Sequence, residues 1–327
     1  MLQKEIAAFQ HPSRRQSIWQ LINTLGPYVG LWVLSYFALQ ISFWLALPCL
    51  ILLGGFTIRT FIIFHDCGHG SFFRSQRANR FWGRLTGLLT FTAFRYWSAN
   101  HARHHATSGN LDRRGQGDVW MMTVDEYLAA PFRRRLWYRL YRHPFMMFIL
   151  GPLFIMLVTH RVSESRRKPR ERHSVQLTNL ALVGMAVGMS LLIGWQNYLV
   201  IQFVSLWMGL VAGVWLFYVQ HQYEDVYWER EDGWDFVTAS LEGGSFYRLP
   251  RVLQWFTGSI GYHHLHHLNS RIPNYNLERC QQEVPALQSV KPIGLRKSLK
   301  ALNYRLWDER AGQLVSFRAI KQRRQAA

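Results

Sequence analysis

Uncharged apolar stretches alternate with strongly basic segments along this chain. Between Leu25 and Phe64 the only charged residue is Arg59. A stretch of this length can supply two membrane helices of about 20 residues each. We therefore predict a first hairpin, with spans at roughly 25–42 and 44–64.

A second pair of apolar stretches lies at residues 175–195 and 198–219, separated by a very short turn. Four spans in two hairpins follow, and everything after His221 is predicted to be soluble. Glycines four residues apart in each stretch would let the two backbones approach closely, although such spacings also arise by chance. These glycines are Gly184 and Gly188 in the first stretch, and Gly209 and Gly213 in the second.

Two further apolar segments, at residues 81–97 and 145–159, are poor candidates for spans. If the first crossed the membrane, the histidine motifs before and after it would lie on opposite faces. The second has only about fifteen residues where a straight span needs about 20, and Gly151-Pro152 in its middle would kink a helix. Both are predicted to be interfacial or re-entrant. No second domain is indicated, so residues 1–327 are predicted to form one membrane domain.

The chain has 38 Lys and Arg against 19 Asp and Glu, a net charge of +19. Basic segments at 110–143 and 161–172 flank the apolar stretches, which predicts a multi-pass protein of the cell membrane with these segments in the cytoplasm. No nucleic-acid reading motif accompanies the charge, and attraction to anionic lipid headgroups explains it better. The N-terminus lacks the apolar core of a cleavable signal peptide. Cys49, Cys67 and Cys280 form no CxxC pair, so neither an iron–sulfur site nor a disulfide framework is predicted.

Eight of the fourteen histidines fall in three tight groups, spaced HxxxH once and HxxHH twice. On a helix, residues three and four apart share a face, so each motif is predicted to direct its rings at one spot. Imidazole is a common ligand of first-row redox metals, and one tetrahedral zinc takes only four ligands, so two metals are the economical interpretation. The motifs contain His65 and His69, then His101, His104 and His105, then His263, His266 and His267.

A ninth histidine, His221, follows the last predicted span and is predicted to be a further ligand. In the third motif His264 could replace His263, although the repeated HxxHH spacing favours His263. The other histidines stand singly in basic surroundings and are predicted to be surface residues: His11, His143, His160 and His173.

Metal-ligating histidines normally donate their second ring N–H to a carboxylate or a carbonyl. Asp66 lies inside the first motif, and Glu224 and Asp225 come just after His221, so these three acids are the preferred candidates for that role. A solvated surface position is the alternative for each of them. Further candidates are Asp112, Asp118 and Glu242.

A metal pair at a membrane boundary suits a substrate that is itself a lipid. Activating an alkyl C–H bond requires a redox metal, and zinc does not change valence. Dioxygen with two electrons at a di-iron centre would supply the oxidant. The predicted chemistry is therefore oxidation of an alkyl C–H bond in a lipid.

The motifs HDCGH, HARHH and HHLHH, in this order about two predicted hairpins, resemble the membrane fatty-acid desaturase family over nearly the whole chain. FYVQHQYED, GNLDRRGQGDVW and IGYHHLHHLNSRIPNYNL are similar, more narrowly, to bacterial cold-induced acyl-lipid desaturases of the phospholipid delta-5 type. The resemblance implies an all-α integral membrane protein with four transmembrane helices in two hairpins, interfacial helices and a cytoplasmic helical cap that carries a histidine-ligated di-iron site. It also implies two iron ions, O2, electrons from ferredoxin or flavodoxin, and a cis double bond placed in a membrane-lipid acyl chain.

The chain departs from the wider family in two respects. Some acyl-CoA members have an asparagine one turn before the position that His221 matches, and Phe217 stands there instead, which puts a tenth, water-mediated ligand in doubt. The heme-binding HPGG signature of fused cytochrome domains is missing, so electrons are expected from a separate protein. The basic surface would be a dock for an acidic carrier, with lipid-headgroup attraction as the alternative.

Two other functions are compatible with the histidines. A di-iron alkyl or acyl hydroxylase, or a carotenoid ketolase, would share the scaffold, because hydroxylation and desaturation diverge only after the first hydrogen abstraction. A non-catalytic membrane metal-binding protein would instead place its ligands within the spans along a pathway. Here the histidines cluster at one boundary, which favours an enzyme.

Overall fold

The computed structural model describes residues 2–115, 117–163 and 168–320. Part of the predicted basic segment 161–172 therefore lies outside the described residues. Helices dominate the described parts of the chain. In chain order the α-helices are α1 (Leu2–Ala7), α2 (Arg14–Leu39), α3 (Phe43–His69), α4 (Gln76–Leu89), α5 (Phe94–Thr107), α6 (Val124–Ala129), α7 (Phe132–Tyr141), α8 (Gly151–Phe154), α9 (Pro169–Ile193), α10 (Trp195–His221), α11 (Phe236–Gly243), α12 (Arg251–Phe256), α13 (His263–Leu268), α14 (Asn274–Glu283) and α15 (Leu295–Ser298).

Short strands and 3-10 turns complete the polar end of the molecule. The strands are β1 (Met122–Thr123), β2 (Phe246–Tyr247), β3 (Pro292–Ile293), β4 (Leu306–Asp308) and β5 (Gln313–Val315). One sheet has the order β1-β4-β5, with β1 parallel and β5 antiparallel to β4, and β2 pairs with β3 in parallel. The 3-10 turns are Pro285–Ser289 and Leu299–Asn303.

Four helices, α2, α3, α9 and α10, are long and apolar enough to cross a membrane. They form two sequential hairpins, because α2 packs on α3 and α9 packs on α10. Serine caps begin both helices of the first hairpin: the hydroxyls of Ser13 and Ser42 accept backbone N–H groups from the first turn of each helix. The predicted helical fold with four spans is confirmed, although α2 begins at Arg14, well before the predicted start near residue 25.

Helix α3 joins the two hairpins, since it packs against both α2 and α10. A Cβ on Gly54 would lie 3.1 Å from the Cβ of Met208. A Cβ on Gly209 would lie 3.0 Å from Thr57 and 3.1 Å from the Gly54 carbonyl oxygen. The two backbones can therefore approach closely only because both positions lack a side chain.

The predicted glycine contact within the second hairpin is wrong. Gly184, Gly188 and Gly213 face open space, with no atom within 4 Å of the position that a Cβ would take. Only Gly209 is in close contact, and its neighbours belong to α3. Spacing along a helix shows that two glycines share a face, but not which helix that face meets.

The segment 81–97 is divided between α4 and α5 rather than forming one helix. The two helices are separated by a turn at Phe91, whose φ of 55° lies in the left-handed region. Gly87 permits this tight turn, because a Cβ there would lie 2.6 Å from the carbonyl oxygen of Thr92. As a result α5 returns to pack against α3 and brings the second histidine motif alongside the first.

Residues 146–159 form an irregular helix, with π-helical turns at Met146–Leu150 and Ile155–Thr159 on either side of α8. Pro152 in α8 has no N–H to donate, which explains why the regular hydrogen-bond ladder is interrupted. The segment is bent by 62° from α7, and counting the pair as one broken span would give a fifth crossing. The bend fits a broken span as well as a re-entrant segment, so the interfacial or re-entrant placement stays a prediction.

The chain after His221 forms a cap over the histidine-bearing ends of α3 and α10. One part of it departs from the predicted soluble character. Helix α12 lies along α3, with the ring of Phe256 5.2 Å from that of Phe56. Val252 on the same short helix is 67% exposed. The cap therefore extends along the apolar flank of the first hairpin.

Candidate metal centre

The structure brings all nine predicted histidines together and divides them into two groups. Within each group the candidate ligand atoms all lie within 4.8 Å of one another. Group I consists of His65, His69, His101, His105 and His266, and group II consists of His104, His221, His263 and His267.

Each HxxHH motif contributes to both groups. On α5, His101 and His105 are four residues apart and enter group I, whereas His104 enters group II. On α13, His263 and His267 are four residues apart and enter group II, whereas His266 enters group I. The prediction that each motif addresses a single spot is therefore wrong, because a residue at i+4 lies nearly above residue i while its neighbour at i+3 is rotated aside. Helices α5 and α13 thus stand between the groups and join them.

The ring nitrogens converge closely in both groups. In group I the Nε2–Nε2 separations are 3.0 Å for His65–His101, 3.1 Å for His101–His105 and 3.0 Å for His105–His266. In group II they are 3.1 Å for His104–His221, 2.9 Å for His221–His263 and 3.0 Å for His263–His267.

Burial favours the neutral form of five of these imidazoles. It lowers the pKa of the rings that lie outside the spans, and the neighbouring imidazoles lower it further, because a second positive charge nearby is unfavourable. The histidines with a lowered pKa are His101, His105, His263, His266 and His267. A neutral ring has one N–H and one lone pair, and the lone pair is what a metal ion requires.

Acceptors at Nδ1 fix the position of the proton on three of the rings. The Nδ1 atom of His65 lies 3.0 Å from Asp66, and that of His104 lies 2.6 Å from Asp118. The Nδ1 atom of His221 lies 3.3 Å from the carbonyl oxygen of Gly243. Because these acceptors require an N–H at Nδ1, the Nε2 atoms carry lone pairs and point them at one another.

Converging lone pairs about 3 Å apart repel one another unless a cation lies between them. The Nε2 atom of His69 is also buried and has no hydrogen-bond partner among the described residues. The donor set, which is nitrogen-only and is oriented from behind on three of its rings, therefore fits metal ions in both groups.

The ranking of the acidic residues is partly wrong. Asp66 contacts His65 and also accepts N–H groups from the backbone and the side chain of Asn274, at 2.7 and 2.8 Å. Asp118, ranked lower, contacts His104. Glu224 is exposed instead, and its carboxylate lies 3.6 Å from Lys297.

The preferred acids after His221 lie elsewhere because α10 ends at that residue and the chain then turns away. Asp225 is exposed like its neighbour. Asp112 forms an ion pair with Arg230 at 2.6 Å, and Glu242 is exposed. For Glu224 and Asp225, closeness in sequence to His221 therefore did not indicate contact with it.

One aromatic ring lines each group, and the histidine spacing did not identify either ring. Trp97 stacks on His101 in group I, with ring centroids 4.3 Å apart. Phe217 lies 5.0 Å from His221 and 5.3 Å from His104 in group II. The position where some relatives have a polar asparagine is thus an apolar wall.

The remaining histidines lie outside both groups. His264 points away from its neighbours in α13, with Nε2 2.8 Å from the Gln281 side-chain oxygen. His160 is partly buried, with Nδ1 3.4 Å from the Thr92 hydroxyl, so its predicted surface position is wrong. The other three are exposed as predicted: His11, His143 and His173.

Four membrane-length helices, two of which (α3 and α10) end at two adjacent clusters of converging histidines, define a helical membrane protein able to hold a pair of metal ions. Comparison with known proteins makes the class specific. The sequence pattern of the family described as "Fatty acid desaturase" matches residues 41–292. This chain belongs to the fatty acid desaturase family and is accordingly an oxidoreductase, which confirms the resemblance noted from the histidine motifs.

Individual relatives agree with this assignment. The chain is 50% identical to a protein named "Fatty acid desaturase" from Bacillus subtilis, over 98% of this chain and 91% of the relative. It is 26% identical to the "sn-1 acyl-lipid omega-3 desaturase (ferredoxin)" of Synechocystis sp., over 86% of this chain and 77% of the relative. It is 28% identical to the "sn-1 oleoyl-lipid 12-desaturase" of the same organism, over 76% of this chain and 69% of the relative.

Proposed function

We propose that this desaturase introduces a cis double bond into a fatty acyl chain esterified to a membrane lipid, with O2 as co-substrate. Membership of the family supports the chemistry. The names of two relatives, which refer to acyl-lipid and oleoyl-lipid desaturation, support a lipid-bound substrate. The motifs that resemble the delta-5 type support a bond near the ester end of the chain.

The proposal depends most on the convergence of Nε2 lone pairs in two adjacent groups. We infer one iron ion for each group, because nitrogen ligands suit iron and desaturation requires a redox metal. Two iron ions held there would supply, with dioxygen and two electrons, an oxidant able to break an alkyl C–H bond. The proposed ligands are His65, His69, His101, His105 and His266 in group I, and His104, His221, His263 and His267 in group II.

The surrounding residues orient and shield these rings. Asp66, Asp118 and the Gly243 carbonyl hold Nδ1–H on three histidines and so direct Nε2 inward. Trp97 and Phe217 cover the groups with apolar surface. Such surroundings keep water from the reacting carbons of an acyl chain.

We further propose that the histidine-bearing end faces the cytoplasm and that a ferredoxin or flavodoxin delivers the electrons. Exposed arginines at the starts of two membrane-length helices lie at that end: Arg14 and Arg15 on α2, and Arg170 and Arg172 on α9. Positive charge beside spans favours the cytoplasmic side. The ferredoxin in the name of one relative supports the donor class. We also propose that residues 1–327 form a single membrane desaturase domain.

Fatty acids from a host without desaturases, expressing this chain and a ferredoxin system, test the proposal by gas chromatography–mass spectrometry of derivatised acids. A new monounsaturated acid is expected, and its fragments locate the double bond. The His104→Ala variant should form none, because it loses a group II nitrogen.

The matched control is His143→Ala. His143 is exposed and lies outside both groups, so this variant should form the product at the wild-type level. A hydroxy acid as the main product would contradict desaturation. An inactive His143→Ala enzyme would contradict the ligand assignment.

A further inference from the structure

Arg59 is a buried cation in the middle of a membrane-length helix. It is 6% exposed and is the only charged residue between Leu25 and Phe64. None of the ion pairs found among the described residues involves it. Burying an ionised group is costly, and an anion on its spare N–H groups would offset part of that cost.

The contacts of Arg59 do not neutralise it. Its Nε donates to the Thr24 hydroxyl at 3.0 Å, and one Nη donates to the Asn23 side-chain oxygen at 3.2 Å. The other Nη donates to the Trp255 carbonyl, and the guanidinium lies over the ring of Trp255, 3.8 Å from its centroid. These partners are all neutral. Because a guanidinium has five N–H groups, two of them are left for a ligand.

A cavity of about 250 Å³ adjoins this guanidinium. Its wall includes the side chain of Gln20, which is 4% exposed. The Gln20 amide nitrogen donates to Asn274 at 3.0 Å, but its buried oxygen has no partner among the described residues. The cavity therefore offers a cation with spare donors beside an unused acceptor. A phosphodiester whose substituent carries a hydroxyl or an ammonium group complements both.

The surroundings of the cavity indicate where such an anion comes from. Trp19, which lines the cavity, is 63% exposed, and Val252 on α12, the helix that carries Trp255, is 67% exposed. Exposed tryptophans of this kind are enriched where a membrane meets water. Arg59 precedes the end of α3 at His69 by ten residues, which corresponds to about 15 Å along the helix. The cavity is also lined by Gln16, Trp19 and Asn23 in the first turns of α2, just after the exposed Arg14 and Arg15. Basic residues and tryptophans of this kind mark the membrane boundary, which places this wall of the cavity near the headgroups and the ester region.

We propose that this cavity, formed between α2, α3 and α12, binds the anionic phosphodiester headgroup of a membrane phospholipid through Arg59. The inference rests on the proposed function, since the bound lipid is the acyl-lipid substrate. Asn274 links the cavity to the metal site, because it also donates to Asp66 behind His65. Arg59 lies only six residues, or about 9 Å of helix, before His65. A headgroup held so near group I favours reaction near the ester end of the acyl chain.

The test is lipid binding by the purified full-length protein, measured by native mass spectrometry. The protein is titrated with phosphatidylglycerol and, separately, with a galactolipid that has the same acyl chains but no phosphate. Wild type should prefer phosphatidylglycerol. Arg59→Gln should bind it about tenfold more weakly, with galactolipid binding unchanged. Arg59→Lys should keep most of the preference, since lysine binds phosphate as a point charge.

Arg161→Gln is the matched control. Arg161 is also a partly buried arginine with neutral partners, the Asn179 side chain and the Phe91 carbonyl, but it does not line the cavity. Its variant should keep the wild-type preference. If wild type shows no preference, or Arg59→Gln weakens both lipids equally, Arg59 only ties the helices together and the proposal is wrong. Stabilisation of lipid-free protein by inorganic phosphate at concentrations that displace phosphatidylglycerol would overturn the lipid assignment.

Binding and turnover separate this inference from the proposed function. The titration needs neither iron nor electrons, so a preference for phosphatidylglycerol without any desaturated product would support the headgroup site and contradict the function. A desaturated product without the preference would support the function and contradict the headgroup site.

Discussion

The two histidine groups have the same kind of ligand but differ in number and burial. Group I has five histidines, of which His69, His101 and His105 are only partly buried, whereas group II has four that are all buried. The first hairpin supplies group I through α3, and the second hairpin supplies group II through α10. Helices α5 and α13 supply both. Each hairpin therefore contributes ligands to one group only.

The groups also differ in what lies behind them. Asp66, behind group I, is tied to α14 by two hydrogen bonds from Asn274. Asp118, behind group II, contacts His104 with one oxygen, and its other oxygen has no partner among the described residues. Group I is therefore more exposed, and its carboxylate belongs to a larger network. Group II is more enclosed and is held by one carboxylate contact to His104 and one carbonyl contact to His221.

Removing one ligand from each group should give the largest effect. Both His69→Ala and His267→Ala are expected to lose desaturation by at least about 100-fold, since even the loss of an orienting partner costs about 10–100-fold. Iron content should distinguish them. Group I would retain four nitrogens and most of its iron, whereas group II would retain three and lose it. Iron per chain, measured by inductively coupled plasma mass spectrometry, checks this, and equal losses would remove the distinction between the groups.

This contrast shows what the sequence could and could not predict. Apolar length predicted the four spans. Spacing selected eight of the nine histidines that converge, and the position of His221 after the last span selected the ninth. Spacing could not show that His104 separates from His101 and His105, because that division depends on how α5 is oriented against α3 and α10. It also failed for Asp118, which a loop brings back to α5, and for Glu224, which follows His221 in sequence but lies beyond the point where α10 ends. Local patterns predict faces, whereas contacts between faces depend on tertiary packing.

Neutralising the two carboxylates should give the next largest effects. Asp118→Asn and Asp66→Asn are each expected to lower activity by about 10–100-fold, because the amide binds the histidine N–H less strongly. Asp66→Asn should in addition reduce stability by about 1–3 kcal/mol, since it weakens the bonds from Asn274. Turnover and thermal unfolding of both variants in the same detergent measure the two effects. Matching stabilities would argue against the larger network behind group I.

Chelation should separate the groups by rate. Metal in group I lies behind three partly buried rings, so a water-soluble chelator should remove it several-fold faster than metal in group II. The loss of iron should therefore have two phases of equal amplitude. His267→Ala should lack the slow phase and keep the fast one. A single phase would mean that the two groups are equally accessible. A fast phase that disappears in His267→Ala would mean that group II is the more accessible one.

The smallest effect is expected at Phe217, whose ring contacts His104 and His221 without offering a ligand atom. Phe217→Leu keeps an apolar wall beside group II, so iron content should stay at two per chain and stability should fall by only about 1 kcal/mol. Activity should change a few-fold at most. Phe217→Ala provides the comparison, because the space that it leaves would admit water and should lower activity further. If Phe217→Leu instead lost iron as His267→Ala does, the ring would be needed to hold the ligands in place, and group II would be less rigid than its burial indicates.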